Sequence, residues 1–466
     1  MINHFNFMWR NGEILITNDF GDYAFLQKEE FAALVTNKVH KDSELYDLLS
    51  SRGFVTDDDP SVFINKRIGD LRNIKGYLLT STALHIFAIT NQCNQNCVYC
   101  QAKAPGSSLT GVMDVETGRK AIELAMQSPS PSLTFEFQGG EPLLNFDLVK
   151  EMISHSKELN KQYGKNIEYT IVTNLVALTD DRLDYLIENN VSICTSLDGN
   201  EIVHNHNRKL RSGEGTYHIV KAAIERVRKA GKQVGAIETT TRFSLPFPEQ
   251  IVDEYISTGI GGIFLRPLTP LGFAKAYWDE IGYSAEEFID FYKKAFFHIL
   301  EINKSGIHFP ELHATYFLRK MLRGDADNYM ELRSPCGAGI GQMSYYFNGN
   351  VYTCDEGRMM GEAGDNTFLL GNVLSDTYDD MVGRKTCRAT CAASVVETIP
   401  NCCDCAYHPY CGVCPVVAYS SSGDIFPRGP FDFRCKVYKG IMDILFDLLQ
   451  EDNPENMHIL QSWIEE

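Results

Sequence analysis

The sequence predicts an α/β protein: a partial (β/α)6 barrel preceded by a small winged-helix-like module and followed by a cysteine-rich domain. Three observations carry this. Between residues 82 and 304 short apolar runs alternate with amphipathic helical patterns, the signature of parallel strands joined by crossover helices. The first 75 residues change from strand-like to helical spacing within a short unit of their own. The cysteines, finally, concentrate in one tight trio and one late field. At 466 residues the chain exceeds what one hydrophobic core usually organises, and boundaries are expected at 1–78, 79–308, 309–440 and 441–466.

In the first unit Ile14 and Ile16 mark a strand, residues 18–22 read as a turn, and residues 23–26 as the returning strand. Phe31, Leu34 and Val35, then Leu45, Leu48 and Leu49, recur at helical spacing. Barrel strands are predicted at 84–90, 133–138, 168–173, 191–197, 234–239 and 262–266, and in such barrels the chemistry sits where strands end and loops begin. Beyond residue 309 the apolar residues are too thinly spread for a large separate core, so metal clusters are expected to supply cross-links; an amphipathic helix over 441–449 closes the chain.

A net charge of −18 argues against gripping nucleic-acid phosphates, and is compatible with a basic substrate or simply with solubility. No segment reads as a signal peptide or a membrane span, which places the protein in the cytoplasm, with neither nucleic acid nor membrane as partner. Fourteen cysteines are many for a chain in that reducing compartment, and metal ligation explains them better than disulfides.

Cys93, Cys97 and Cys100 lie on the loop that follows the first barrel strand. Three thiolates can hold three irons of a 4Fe-4S cube, and with no fourth cysteine on that loop one iron stays open for an exogenous ligand. A zinc knuckle is the competing reading, but zinc pairs usually come as CxxC with a second pair beyond. In this CxxxCxxC motif the chain resembles the radical S-adenosylmethionine (SAM) superfamily. The resemblance implies that the amino and carboxylate groups of SAM chelate the open iron, and that an electron from the cluster cleaves SAM to a 5′-deoxyadenosyl radical that abstracts hydrogen from the substrate. Gly139-Gly140-Glu141 after the second strand resembles the family's GGE motif, whose glycines admit SAM closely and whose glutamate accepts from its ammonium. Asn174, after the third strand, and Ser196 and Asp198, after the fourth, resemble positions that line the SAM pocket; Tyr99 and Leu265 resemble those flanking adenine. Arg242 is the candidate partner of the SAM carboxylate, with a surface ion pair as its alternative.

The late field runs Cys336, a Gly349-to-Cys354 GxxxxC step, Cys402, Cys405, Cys411, Cys414 and Cys435. It resembles the SPASM domain, which implies two auxiliary 4Fe-4S clusters and three clusters in all. By that resemblance Cys402, Cys405, Cys411 and Cys435 hold one, and Cys336, Cys354 and Cys414 the other, with Cys391 as fourth ligand in preference to Cys387, or an open iron. Only two residues separate Cys411 from Cys414, one fewer than the family pattern. Zinc held by the two CxxC pairs is the alternative, and Cys403 and Cys194 read as buried thiols. Asp355 matches the position of an aspartate that takes a proton from substrate in sulfatase-maturing relatives.

Across nearly the whole chain, including residues 15–23, 263–268 and 435–441, the sequence is similar to the larger radical SAM maturase of the His-Xaa-Ser peptide system. That implies a ribosomally made precursor peptide as substrate, a cross-link as product with a C–C cyclophane-type bond favoured, a flavodoxin- or ferredoxin-type reductant, and a second radical SAM protein encoded alongside. The N-terminal unit is similar in outline to modules that capture a leader peptide by strand addition, with a packing cap as the alternative. Formylglycine formation in a sulfatase, and a non-catalytic electron-carrier or peptide-binding role, are the rival readings.

Overall fold

The computed structural model describes residues 1–325 and 332–465. The N-terminal unit opens with an antiparallel meander, β1 (Asn6–Arg10), β2 (Glu13–Thr17) and β3 (Tyr23–Leu26), followed by helices α1 (Lys28–Val35), α2 (Glu44–Ser51) and α3 (Pro60–Ile74). That is one strand more than the sequence reading. The hydrophobic pattern of β1 is inverted: Phe7 and Trp9 are about half exposed, whereas Asn6 and Arg10 are buried. The turn that creates it, Asn11-Gly12, has positive φ at both residues and was the available signal, since this pair favours two-residue hairpins. Ile14, Ile16, Ala24, Leu26, Leu34, Leu49 and Phe54 form this unit's core.

The barrel then alternates strand and helix: β4 (Leu84–Ala88), α4 (Val115–Met126), β5 (Ser132–Gln138), α5 (Phe146–Tyr163), β6 (Asn166–Val172), α6 (Asp180–Glu188), β7 (Val191–Ser196), α7 (Glu201–Asn207), α8 (Tyr217–Lys229), β8 (Val234–Ile237) and α9 (Pro248–Thr258). These five strands are parallel neighbours in chain order. The sixth expected strand, 262–266, is not a ladder strand. Only Ile263 makes a single parallel bridge, with Glu311, its N–H donating to Pro310 O at 3.1 Å, and two later amides are taken by buried carboxylates: Leu265 N–H donates to Glu311 Oε1 at 3.1 Å and Arg266 N–H to Glu238 Oε2 at 3.2 Å. One backbone bond, Thr240 N–H to Arg266 O at 3.1 Å, ties the stretch to the loop after β8.

The rest of the chain wraps this barrel: α10 (Gly272–Ala276), α11 (Trp278–Ile281), α12 (Ala285–Lys304), α13 (Leu312–Leu318), β9 (Gln342–Tyr346), β10 (Asn350–Tyr352), α14 (Asp355–Glu362), β11 (Leu369–Asn372), α15 (Tyr378–Gly383), α16 (Lys385–Ala392), α17 (Pro415–Ser422), α18 (Phe433–Glu451) and α19 (Pro454–Ser462). β9 pairs in parallel with β4, and β10 and β11 continue antiparallel, giving an eight-stranded sheet in the order β11-β10-β9-β4-β5-β6-β7-β8. The closing helix is longer than the predicted 441–449. One core runs through the barrel helices into α12, α13, α18 and α19, and a smaller one gathers Cys336, Cys354, Cys414, Phe368 and Val416. Among the described residues no helix is long and apolar enough to cross a membrane.

Candidate active site

Cys93, Cys97 and Cys100 sit on the loop beyond the C-terminal end of β4, which neighbouring loops pin on both sides. Gly140 and Glu141 donate backbone N–H bonds to Thr90 O and Gln92 O at 2.7 and 2.8 Å. From the other side Asn96 and Val98 donate to Lys209 O and Asn207 O at 2.8 and 3.0 Å. The two glycines are required by this closeness: a Cβ on Gly139 would stand 2.3 Å from Thr90 O, and one on Gly140 2.1 Å from Gln92 O. The approach they permit is to the cysteine loop itself.

The three thiols face one another, and burial pushes their proton affinities up, Cys93 to about 11 and Cys97 to about 12. Two buried cations counter this, and the sequence reading missed both. Arg208 points Nη1 at Cys97 Sγ from 3.8 Å; Lys103 favours the thiolate forms of Cys93 and Cys100 and donates to Gln95 O at 2.7 Å. Thiolate ligands on a buried cluster need such compensation.

Asp198 holds Arg208 in place. Its carboxylate accepts from Arg208 Nε at 3.0 Å and from the Tyr99 hydroxyl at 2.8 and 2.9 Å, while Arg208 also bonds Tyr99 through Nη2. Glu141 is fully buried and ties the end of β5 to that of β6: its carboxylate accepts from Leu143 N–H at 2.9 Å, the Thr173 hydroxyl at 2.6 Å and Asn174 N–H at 2.8 Å. Asn174 turns its amide to Asn94 at 2.8 Å and towards Cys93 Sγ at 3.8 Å. Ser196 ends β7 and Leu265 is buried beside Glu311. Arg242 is half exposed and lies 4.0 Å from Glu287, the geometry of a surface ion pair.

Cys402, Cys405, Cys411, Cys414 and Cys435 line one concave chamber. Cys414 also packs with Cys336 and Cys354, whose thiol feels both neighbours. Cys387 and Cys391 lie one turn apart on α16 as free thiols within hydrogen-bond reach of each other, and Arg333 senses both Cys336 and Cys391. Cys403 offers its carbonyl to Asn6, and Cys194 stands on β7 beside Glu136 and Arg266. Among the described residues no three His, Cys, Asp or Glu side chains converge as ligands of a single metal ion. Thiol-only donors in separate groups suit iron-sulfur clusters, which take one thiolate per corner. Asp355, next to Cys354, accepts from Arg358 Nε at 2.6 Å and the Ser344 hydroxyl at 3.3 Å.

Residues 87–257 match the model of the Radical SAM superfamily. An uncharacterized protein of Methanocaldococcus jannaschii is 28% identical over 186 residues, 40% of this chain and 62% of that relative, so the match spans less than two thirds of it. The serine-type anaerobic sulfatase-maturating enzyme of Bacteroides thetaiotaomicron is 25% identical over 374 residues, 74% of this chain and 85% of that protein. Among solved structures, native anSMEcpe with bound AdoMet and the Cp18Cys peptide superposes with a TM-score of 0.69 at 19% identity, covering 82% of this chain and 99% of that one. Streptococcus suis SuiB bound to its precursor peptide SuiA gives 0.55 at 14% identity, covering 92% and 99%. The matched span runs from β4 to α9 and contains the three-cysteine loop, so this stretch of the chain is similar to the radical SAM superfamily.

Proposed function

We propose that this protein is a peptide maturase that installs a cross-link, a C–C bond between side chains being favoured, in a ribosomally made precursor peptide. The observation that carries the reading is the loop of three mutually facing thiols, locked by Glu141 and Asn174 on one side and by Arg208 on the other. SAM bound at a 4Fe-4S cluster on that loop supplies one-electron cleavage and hydrogen-atom abstraction. The chain's own residues position and enclose. Cys93, Cys97 and Cys100 hold the cluster, the Asn174 amide and the Ser196 hydroxyl face the SAM pocket, and Tyr99 and Leu265 flank the adenine. Arg208, rather than Arg242, is the guanidinium suited to the SAM carboxylate, because its fork is buried and pre-set by Asp198.

Two auxiliary clusters are assigned to the late cysteines, one to Cys402, Cys405, Cys411 and Cys435 and one to Cys336, Cys354, Cys414 and Cys391. A peptide substrate is supported by the named peptide ligands of the two structural neighbours. A flavodoxin- or ferredoxin-type reductant, a second radical SAM protein and a cytoplasmic setting complete the reading, and the N-terminal unit is assigned to leader capture. Asp355 is the candidate proton acceptor.

The test is anaerobic co-expression with short peptides encoded near the gene, read by tandem mass spectrometry. A loss of two hydrogens that joins two residues is expected. Replacing Cys93, Cys97 or Cys100 by alanine is expected to abolish both the product and the formation of 5′-deoxyadenosine under dithionite; retention of either refutes the assignment. A second reading, formylglycine formation, is favoured by the length of the match to the sulfatase-maturating enzyme. It is recognised by a two-hydrogen loss confined to one serine, with a product that reacts with hydrazines.

A further inference from the structure

The inner wall of the barrel carries a carboxylate that the fold leaves unused. Ladder registers set Ile86, Glu136 and Thr170 side by side on β4, β5 and β6, and Cys194 beside Val172 on β7. Phe87, Phe135 and Phe137 pack together in the core on the opposite face, so strand alternation turns Glu136 inward. Protein surrounds it, and it nevertheless keeps some accessible surface. The charged and titratable groups facing it are Asp355 at the start of α14, Arg266 beyond β8, and Cys194.

Other buried carboxylates of the barrel are provided for. Glu141 has three donors, Asp198 has Tyr99 and Arg208, Glu238 has the Thr240 hydroxyl and Arg266 N–H, and Glu311 has the Tyr292 hydroxyl with Ala314 N–H and Leu265 N–H. Glu136 has no hydrogen bond and no close ion pair among the described residues. Thr170, its register partner, likewise has a buried hydroxyl with no partner among the described residues. Burial pushes the Glu136 carboxyl up to about 7, with Asp355 adding to the effect and Arg266 opposing it. Polar groups buried without partners are costly, and a functional role is one reason that natural folds retain them.

Resting on the maturase reading above, we propose that Glu136 determines which substrate residue enters the barrel: it accepts a hydrogen bond from a peptide side chain bearing an N–H or O–H donor, an imidazole, amine or hydroxyl, with Thr170 as second contact. A site built to bond a donor rejects an analogue that lacks it far more strongly than an apolar pocket rejects a change of size.

Two measurements on the full, cluster-loaded chain test this. The first needs no peptide: at pH 8, where Glu136 is mainly ionised, Glu136→Gln is expected to raise the melting temperature by several degrees. A fall reveals a structural partner and overturns the proposal. The second adds SAM, dithionite and the probe peptides Gly-Gly-Xaa-Gly-Gly with Xaa as His, Lys, Ser, Leu or Phe. In the wild type the His, Lys and Ser probes are expected to stimulate 5′-deoxyadenosine formation at least tenfold more than Leu and Phe, and in Glu136→Ala this ratio is expected to collapse towards one. A wild type that forms 5′-deoxyadenosine without discriminating among the probes overturns this proposal alone. No 5′-deoxyadenosine under any condition overturns the maturase reading, and the melting temperature still reports on Glu136.

Discussion

Arg208 brings a permanent charge to the cysteine loop and is held there by three different acceptors, the Cys97 thiol, the Tyr99 hydroxyl and the Asp198 carboxylate. A lysine at this position keeps the charge but cannot reach all three at once, since an ammonium lacks the planar fork. A hydrogen bond to a charged group contributes about 1.5–3 kcal/mol. Arg208→Lys in the cluster-loaded protein is therefore expected to weaken SAM binding by at least tenfold, checked by calorimetric titration; an unchanged Kd removes Arg208 from the SAM site. The trio, Glu141 and Asp198 were legible because each sits at the end of a strand that the sequence pattern announces. Arg208 was not, because it belongs to the run Arg208-Lys209-Leu210-Arg211, which has the look of a solvated charged stretch. Only the folding of residues 207–210 against the cysteine loop turns one member of that run inward.

At the scale of elements, the turn after β5 acts as a wedge: Gly139 and Gly140 press the backbone of one loop onto that of the next. The neighbour that a new Cβ would meet is main chain, which has little freedom to yield. Gly140→Ala is expected to displace the cysteine loop and lower the iron bound per chain after reconstitution, measured by elemental analysis. Gly383→Ala, whose Cβ would enter open space, is the control and is expected to bind iron as the wild type does. Elements whose apolar residues face the core were legible in sequence, β4 to β8 among them. β1 was hidden because its aromatic residues face outward and its polar ones inward, and 262–266 read as a strand although Glu238 and Glu311 supply the partners that a ladder would have given.

In the whole molecule, the N-terminal unit is fastened to the second cysteine field. Asn6 donates its amide to Cys403 O and Cys405 O at 3.1 and 3.2 Å, Thr17 donates to Ala406 O at 2.8 Å, and the Tyr410 hydroxyl donates to Gly21 O at 2.9 Å. Arg10, deeply buried, pairs with Asp443 and Asp447 of α18. Removing residues 1–78 is expected to speed alkylation of Cys402, Cys405 and Cys411 in metal-free protein while leaving Cys93 unaffected, followed by peptide mass spectrometry; equal rates show that the unit only rests on this surface. No sequence pattern announced this attachment, because its contacts are polar and join residues some 400 positions apart. The same long reach recurs where β9 lies against β4. The edge of β4 waits for a partner more than 250 residues further along the chain. During synthesis the nascent barrel therefore leaves the ribosome with a naked strand edge, open to pairing with other chains until residue 346 emerges. For a protein translated at 5–20 residues per second, that interval is on the order of tens of seconds, long enough to make its yield in the cell depend on chaperones and on expression temperature.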